Sequence, residues 1–304
     1  MNGVLVVDKP AGPTSHDVVA RVRRALGTPR VGHTGTLDPF ATGVLPLVIG
    51  SATRLASLLS GAEKEYDAAV RLGAATETYD AAHRVGPPPA PPDGIDRARV
   101  DAALDQFRGT YSQSPPPYSA KKIQGVPAYK LARRNEPVQP RAVPVTVPHL
   151  ALVSYDAGLA TLRVRCSAGF YVRSLAHDLG TRLGCGAHLE SLRRVRAGPF
   201  DEAMSVPLDA VESEGQRAAR WLIPLGQLLP QVPAVVLNER GVRRATHGNE
   251  LAPGDLERPP DLAAGAEGQG ANPARWRLLD GTGALLGIAE MRLGRVLHPV
   301  IVLV

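Results

Sequence analysis

The sequence predicts an α+β protein: a mixed, mainly antiparallel sheet flanked by helices, with a small β-rich module at the C-terminal end. Three observations carry this. Two stretches of helical apolar period, residues 15–26 and 171–183, each end at a glycine and fit helices lying on a sheet. Two alternating runs, Val143 to Tyr155 and Leu159 to Cys166, are separated only by Asp156, Ala157 and Gly158, the pattern of an antiparallel hairpin. Past Leu225 to Pro233, where Pro and Gln become frequent, the apolar runs are mostly short strands. A chain of 304 residues can fill one large core and a smaller companion. Two domains are expected, 1–230 with an excursion at 111–142, and 231–304.

From the start, Val4 to Val7 is an apolar strand that meets Asp8 and Lys9 at once, unlike a secretion signal. Ser15 is the expected N-cap of a helix with Val18, Val19, Val22, Ala25 and Leu26 on one face and Arg21, Arg23 and Arg24 on the other. Residues 28–43 have no period. Val44 to Ile49 is a second strand, a short helix runs to about Ser60, and Tyr66 to Leu72 is a third strand. Gly86 to Gly94 is a Pro-rich surface connector, and Ile95 to Phe107 has helical spacing. Pro115 to Arg134 is basic and aromatic but weakly apolar, with a short basic helix around Tyr129 to Arg134, which suits an excursion rather than core. In the helix at 171–183, Val172, Leu175, Ala176, Leu179 and Leu183 turn inward while Arg173 and His177 share the other face. The C-terminal part offers a strand at Val235 to Leu237, a helix from Glu239 to about Thr246, a low-complexity loop from Ala252 to Ala274, and strands at Arg275 to Leu279, Leu285 to Arg292 and Pro299 to Val304.

The formal net charge of +6 and pI of about 9.6 point to a polyanionic partner. Cys166 and Cys185 make neither a disulfide framework nor a zinc spacing, so they are expected as reduced thiols in a cytoplasmic, soluble protein. No stretch reaches transmembrane length. The eight histidines form no metal-spaced cluster and no Gly-rich phosphate loop is present, so neither metal nor other cofactor is expected.

The aperiodic segment holds the most informative string: Gly32-His33-Thr34-Gly35-Thr36-Leu37-Asp38-Pro39-Phe40-Ala41-Thr42-Gly43. It joins a basic helix to a buried strand, where loops carrying reactive groups are held rigidly. Pro39 disfavours helical geometry at Asp38, and Leu37 and Phe40 would shield the carboxylate from water.

Read through Leu45 and Pro46, this string resembles the catalytic motif of the TruB family of tRNA pseudouridine-55 synthases. Four further stretches are similar to that family. They are Asn2-Gly3 to Lys9-Pro10; Lys64-Glu65-Tyr66 with Arg71-Leu72-Gly73 and Asp80; Pro117-Tyr118-Ser119-Ala120-Lys121-Lys122; and Cys166-Ser167 with Tyr171 and Arg173, then Leu183 to Leu189 and Leu192-Arg193-Arg194. The resemblance covers roughly residues 2 to 200. Phe40, where the family usually has Leu, and Phe170, where Thr is common, depart from it.

The resemblance implies a pseudouridine synthase fold and an enzyme that isomerises uridine 55 in the tRNA T loop, by flipping the base, cleaving its glycosidic bond and rejoining it through C5. It makes Asp38 the catalytic aspartate and Arg173 its partner. A guanidinium there would lower a carboxylate pKa that burial raises. By the same resemblance Tyr66 stacks on the flipped base, and its hydroxyl helps remove the C5 proton. Tyr171 and Leu192 wall the uracil pocket, His33 helps open the RNA loop, Lys9 supports the Asp38 loop, and Asp80, Lys121 and Lys122 join the substrate-binding set. The C-terminal module is expected as a PUA-like RNA-binding domain that sits apart and is dispensable for catalysis. The partner is the tRNA T-stem loop, with no membrane, no obligatory protein partner and a monomeric state. A non-catalytic tRNA-folding chaperone, a guide-RNA-dependent relative and a nucleobase glycosylase are the competing readings.

Overall fold

The computed structural model describes residues 1–83, 86–87, 89–119, 122–123, 126–127, 141–258, 275–292 and 296–304. The first half contains β1 (Gly3–Lys9), α1 (Ser15–Leu26), β2 (Val31–His33), β3 (Thr42–Ile49), α2 (Ala56–Ser60), β4 (Lys64–Leu72), α3 (Arg97–Leu104), β5 (Gly109–Gln113), β6 (Lys122–Ile123) and β7 (Val126–Pro127). Then come β8 (Val143–Val147), β9 (His149–Asp156), β10 (Leu159–Cys166), α4 (Val172–Leu183), β11 (Ala187–Ala197), β12 (Phe200–Asp201), β13 (Val206–Pro207) and α5 (Leu208–Glu214). The C-terminal part holds β14 (Ala234–Val236), α6 (Glu239–Thr246), β15 (Arg275–Leu279), β16 (Leu285–Arg292) and β17 (Val296–Val302).

A nine-stranded sheet runs β13-β1-β3-β11-β4-β10-β9, with β2 added to β3 and β12 to β11. Only β1–β13 and β3–β11 pair in parallel; the other pairs are antiparallel, so the sheet is mixed and mainly antiparallel. A second sheet, β14-β15-β16-β17, forms the C-terminal module.

Alternation of side chains along β1 and β3 divides the core in two. Leu5, Val7, Leu45, Leu47 and Ile49 face a layer that contains α1 and α4. Val4, Val6, Val44 and Val48 face the opposite way and pack with Leu228, Leu229, Leu285, Ile288 and Leu303. The C-terminal module therefore does not sit apart, as the sequence suggested. Its sheet closes the back of the main sheet, and the Arg54 side chain donates to the Val302 carbonyl. The physical reason is that β1 and β3 are apolar on both faces and need a cover on each. Farther along the same back face, β4 and β10 carry Asp67, Glu65 and Arg163 in ion pairs.

Other expectations need correction. Thr14, not Ser15, caps α1, in a capping box with Asp17. The run from Val143 to Tyr155 is two strands that belong to different sheets, β8 on β5 and β9 on β10. The break falls at Pro148, which has no N–H to continue a ladder. The central strand β11 lacks a regular apolar alternation because Arg193, Arg194 and Arg196 interrupt it. No helix among the described residues is long and apolar enough to cross a membrane. The expected basic helix at Tyr129 to Arg134 lies outside the described residues.

Candidate active site

The Asp38 loop is fixed from beneath by two buried side chains. Ser15 Oγ accepts from the Leu37 N–H at 2.8 Å and donates to the Leu37 carbonyl at 3.1 Å. Lys9, fully buried, donates from Nζ to the carbonyls of Pro10, Pro39 and Ala41 at 2.8, 3.1 and 2.8 Å. Burial lowers the Lys9 pKa to about 8, Asp38 opposing that shift and Arg194 adding to it. Its role in the structure is to hold the loop. A Cβ at Gly43, whose φ is +100°, would collide with the Arg194 backbone, so this glycine lets β3 and β11 approach.

Asp38 accepts a fork from Arg173: Nε to Oδ2 at 2.9 Å and Nη2 to Oδ1 at 3.1 Å. Arg173 is 6% exposed and the Asp38 side chain 31%. The remaining donors of the guanidinium go to the carbonyls of Thr78 and Tyr118, each at 3.0 Å, and Asp80 stands 3.6 Å behind it. Arg173 was expected on the polar face of α4. That face is buried at Arg173 because the segment around Thr78 to Asp80 and the Tyr118 carbonyl close over it. Burial raises the Asp38 carboxyl above the usual carboxylate range; the Arg173 charge pulls it back only in part, and Asp80 adds to the rise. Desolvation thus outweighs the guanidinium, contrary to the expectation of a lowered pKa.

Asp38 and Arg173 line a cavity of about 580 Å³ together with Tyr66, Tyr171, Leu192 and Arg194. Tyr171 is clamped at the start of α4: its N–H donates to Gln113 Oε1 at 2.9 Å, and its carbonyl accepts from Gln113 Nε2 at 3.1 Å. The cavity, lined by one carboxylate, three tyrosines and two buried arginines, is assembled from six stretches of the chain.

The family model described as TruB family pseudouridylate synthase, N-terminal domain, matches residues 23–172, and that of the tRNA pseudouridylate synthase B C-terminal domain matches 173–229. A protein named tRNA pseudouridine synthase B from Solibacter usitatus is 41% identical, with all of both chains covered. Its namesake from Burkholderia lata is 43% identical over 98% of this chain and 89% of that one. The chain belongs to the TruB family. It is a pseudouridine synthase. The fold is also that of a chain in an H/ACA ribonucleoprotein bound to a substrate RNA containing 2′-deoxyuridine, with a TM-score of 0.73, 24% identity, and coverage of 99% of this chain and 85% of that one. A Cbf5-Nop10-Gar1 complex gives 0.72, 26%, 99% and 85%.

Of the residues that sequence singled out in this TruB protein, five line the cavity: Asp38, Tyr66, Tyr171, Arg173 and Leu192. Lys9 and Asp80 lie behind it, one under the loop and one under Arg173. His33 stands at the edge, its ring edge-on to His16 at 5.2 Å, and burial lowers its pKa, with His16 and Arg194 adding to the effect. Phe40 lines a second cavity with Thr42, Asp67 and Arg193, and Leu37 lines the Asp38 cavity. Lys121 lies outside the described residues, as does the Lys122 side chain. Sequence patterns assigned no role to Gln113, Lys64, His16 or Arg194. Arg194 belongs to the Leu192-Arg193-Arg194 motif, but neighbouring arginines give no sign of which one turns inward. No group of three or more His, Cys, Asp or Glu among the described residues could hold a metal ion.

Proposed function

We propose that this synthase converts uridine 55 in the T loop of tRNA to pseudouridine, alone and without a cofactor, with Asp38 as the acting carboxylate. The observation that carries this reading is the Asp38–Arg173 fork in a cavity walled by Tyr66, Tyr171 and Leu192. The reaction breaks N1–C1′, turns the uracil and forms C5–C1′, while C5 gives up a proton and N1 gains one. It calls for a dry carboxylate that acts on ribose or base, and for a pocket that keeps the detached base from leaving. Extruding the base costs a few kcal/mol, which stacking on a tyrosine can return. Arg173 holds the Asp38 carboxylate in one orientation, and Asp80 and the carbonyls of Thr78 and Tyr118 hold Arg173.

Incubation of the pure protein with unmodified tRNA transcript in the presence of a chelator, followed by site mapping, tests the reading. Pseudouridine at one T-loop position is expected. Free uracil would assign a glycosylase, and binding without product would assign a chaperone.

A further inference from the structure

Strand β11 carries three arginines that go to different places. Arg193 bonds Asp8 at 3.0 Å and Glu202 at 2.5 Å, and Arg196 reaches Glu65 at 3.8 Å. Arg194 is turned inward, 1% exposed, the bulkiest fully buried side chain among the described residues. Among the described residues its hydrogen-bond partners there are backbone carbonyls. Nε donates to the Val44 carbonyl at 2.7 Å and Nη2 donates to the Gly35 carbonyl at 3.1 Å, and Arg194 lines the active-site cavity together with Tyr66. Arg194 and Tyr66 are also directly opposed across the β11–β4 ladder, where a register shift between Arg194 and Arg196 redirects the strand.

A guanidinium buried without a counter-ion costs stability, and an apolar side chain of similar length would pack at lower cost. Fixing the Gly35 and Val44 carbonyls does not require a full charge, since a neutral donor would satisfy them. The charge lies instead across the ladder from a phenol that lines the same cavity. Burial raises the Tyr66 pKa, and of the groups around it Arg194 acts most strongly in the opposite sense.

We propose that Arg194 is a positioning residue that acts through Tyr66: it holds the phenol oxygen at the cavity and supplies the positive field which a proton acceptor there needs. This rests on the function proposed above. When C5–C1′ has formed, C5 bears a proton it must lose; the ionised Tyr66 oxygen takes it, N1 takes a proton from water, and the hydroxide left behind takes the phenol proton, so Tyr66 returns to its starting state and the net change is the isomerisation alone.

A double-mutant cycle of Arg194→Lys and Tyr66→Phe tests this, read as single-turnover rates at saturating tRNA transcript beside filter-binding affinities. Arg194→Lys keeps a charge but loses the fork, and should slow the wild-type background about tenfold while slowing the Tyr66→Phe background less than about twofold, with affinity unchanged in both. Equal slowing in both backgrounds would overturn the proposal, because Arg194 would then act on the loop and not through the phenol. The pH profile gives a second readout that needs no change at Arg194. The wild-type rate should rise with pH over a range where Tyr66→Phe is flat, and coincident profiles would also overturn it. Conversion of uridine by the wild type in the same assay checks the function itself, independently of the cycle.

Discussion

The two faces of the main sheet are built from the same strands and do opposite work. On the back of β1 and β3, Val4, Val6, Val44 and Val48 meet Leu285, Ile288 and Leu303 in an apolar layer. On the front lie Lys9 and Arg194 beneath a half-dry Asp38 and a buried Arg173. Burying these groups lowers the Lys9 pKa and raises that of Asp38, so the front face holds its charges against their solvation. The back is apolar packing alone, whereas the front adds reactive groups to its own apolar layer of Leu5, Val7, Leu45, Leu47 and Ile49, so the loss of a back-face residue is expected to act on stability without touching the chemistry.

The largest expected effect is at the front. Asp38→Asn keeps size and hydrogen bonding but loses the charge, and single-turnover rate should fall by about a thousandfold, about 4 kcal/mol of barrier. Affinity for tRNA should hold, since contacts to phosphate supply most of it. At the back, Ile288→Ala removes a fully buried side chain and should cost about 2 to 5 kcal/mol of stability by thermal or denaturant unfolding. Truncation before β14 should do more, exposing Val4, Val6, Val44 and Val48, and would appear as a lowered melting temperature and aggregation. A truncated protein with an unchanged melting temperature would show that the shared core contributes nothing.

Arg173→Lys should slow turnover about a hundredfold, because a point charge cannot serve both Asp38 oxygens and two carbonyls. Its signature is a slower rate with no matching change of affinity.

Asp38 and Lys9 set the acidic and alkaline limits within which any contribution of Tyr66 is read. Asp38, with its pKa raised, must be ionised to act, so the rate should fall on acidification at a pH above the ordinary carboxylate range. Lys9 loses its proton near pH 8, which slackens its hold on Pro39 and Ala41 and should give an alkaline limb there. For stability the Lys9 sign is reversed. The folded chain binds that proton more weakly than the unfolded one, so burial of the ammonium costs stability below about pH 8, and the cost is relieved as pH rises toward 10.5. Rate and melting temperature measured on one preparation across this range should diverge in that window.

The smallest effect concerns charge outside both faces. Lys121→Ala with Lys122→Ala should weaken tRNA binding and flatten its salt dependence by about 0.7 to 0.9 in log–log slope for each phosphate no longer neutralised. An unchanged slope would place those lysines away from the RNA.

Much of the front face was legible because its residues sit in a long contiguous string, Gly32 to Gly43, whose composition no regular element explains. The helix α4 and the β9–β10 turn were legible because period and Gly punctuation are local properties. What escaped was set by distant parts of the chain. β11 occupies the middle of the sheet yet reads as a basic surface, since Arg193 and Arg196 find carboxylates and Arg194 finds carbonyls only after folding. Ser15 resembles a cap by type, but Leu37, twenty-two positions on, claims its hydroxyl. The cover on the back face could not be read either, because the apolar residues of β1 and β3 show only that both faces are buried, not what buries them.

The division between the faces is tested most directly by taking Asp38→Asn and Ile288→Ala side by side and measuring, on each preparation, the single-turnover rate of pseudouridine formation and the melting temperature. The expected result is a crossed pattern: Asp38→Asn loses its rate and keeps its melting temperature within a few degrees, while Ile288→Ala loses melting temperature and keeps its rate wherever it remains folded. An Asp38→Asn protein that converts uridine at nearly the wild-type rate would contradict the account.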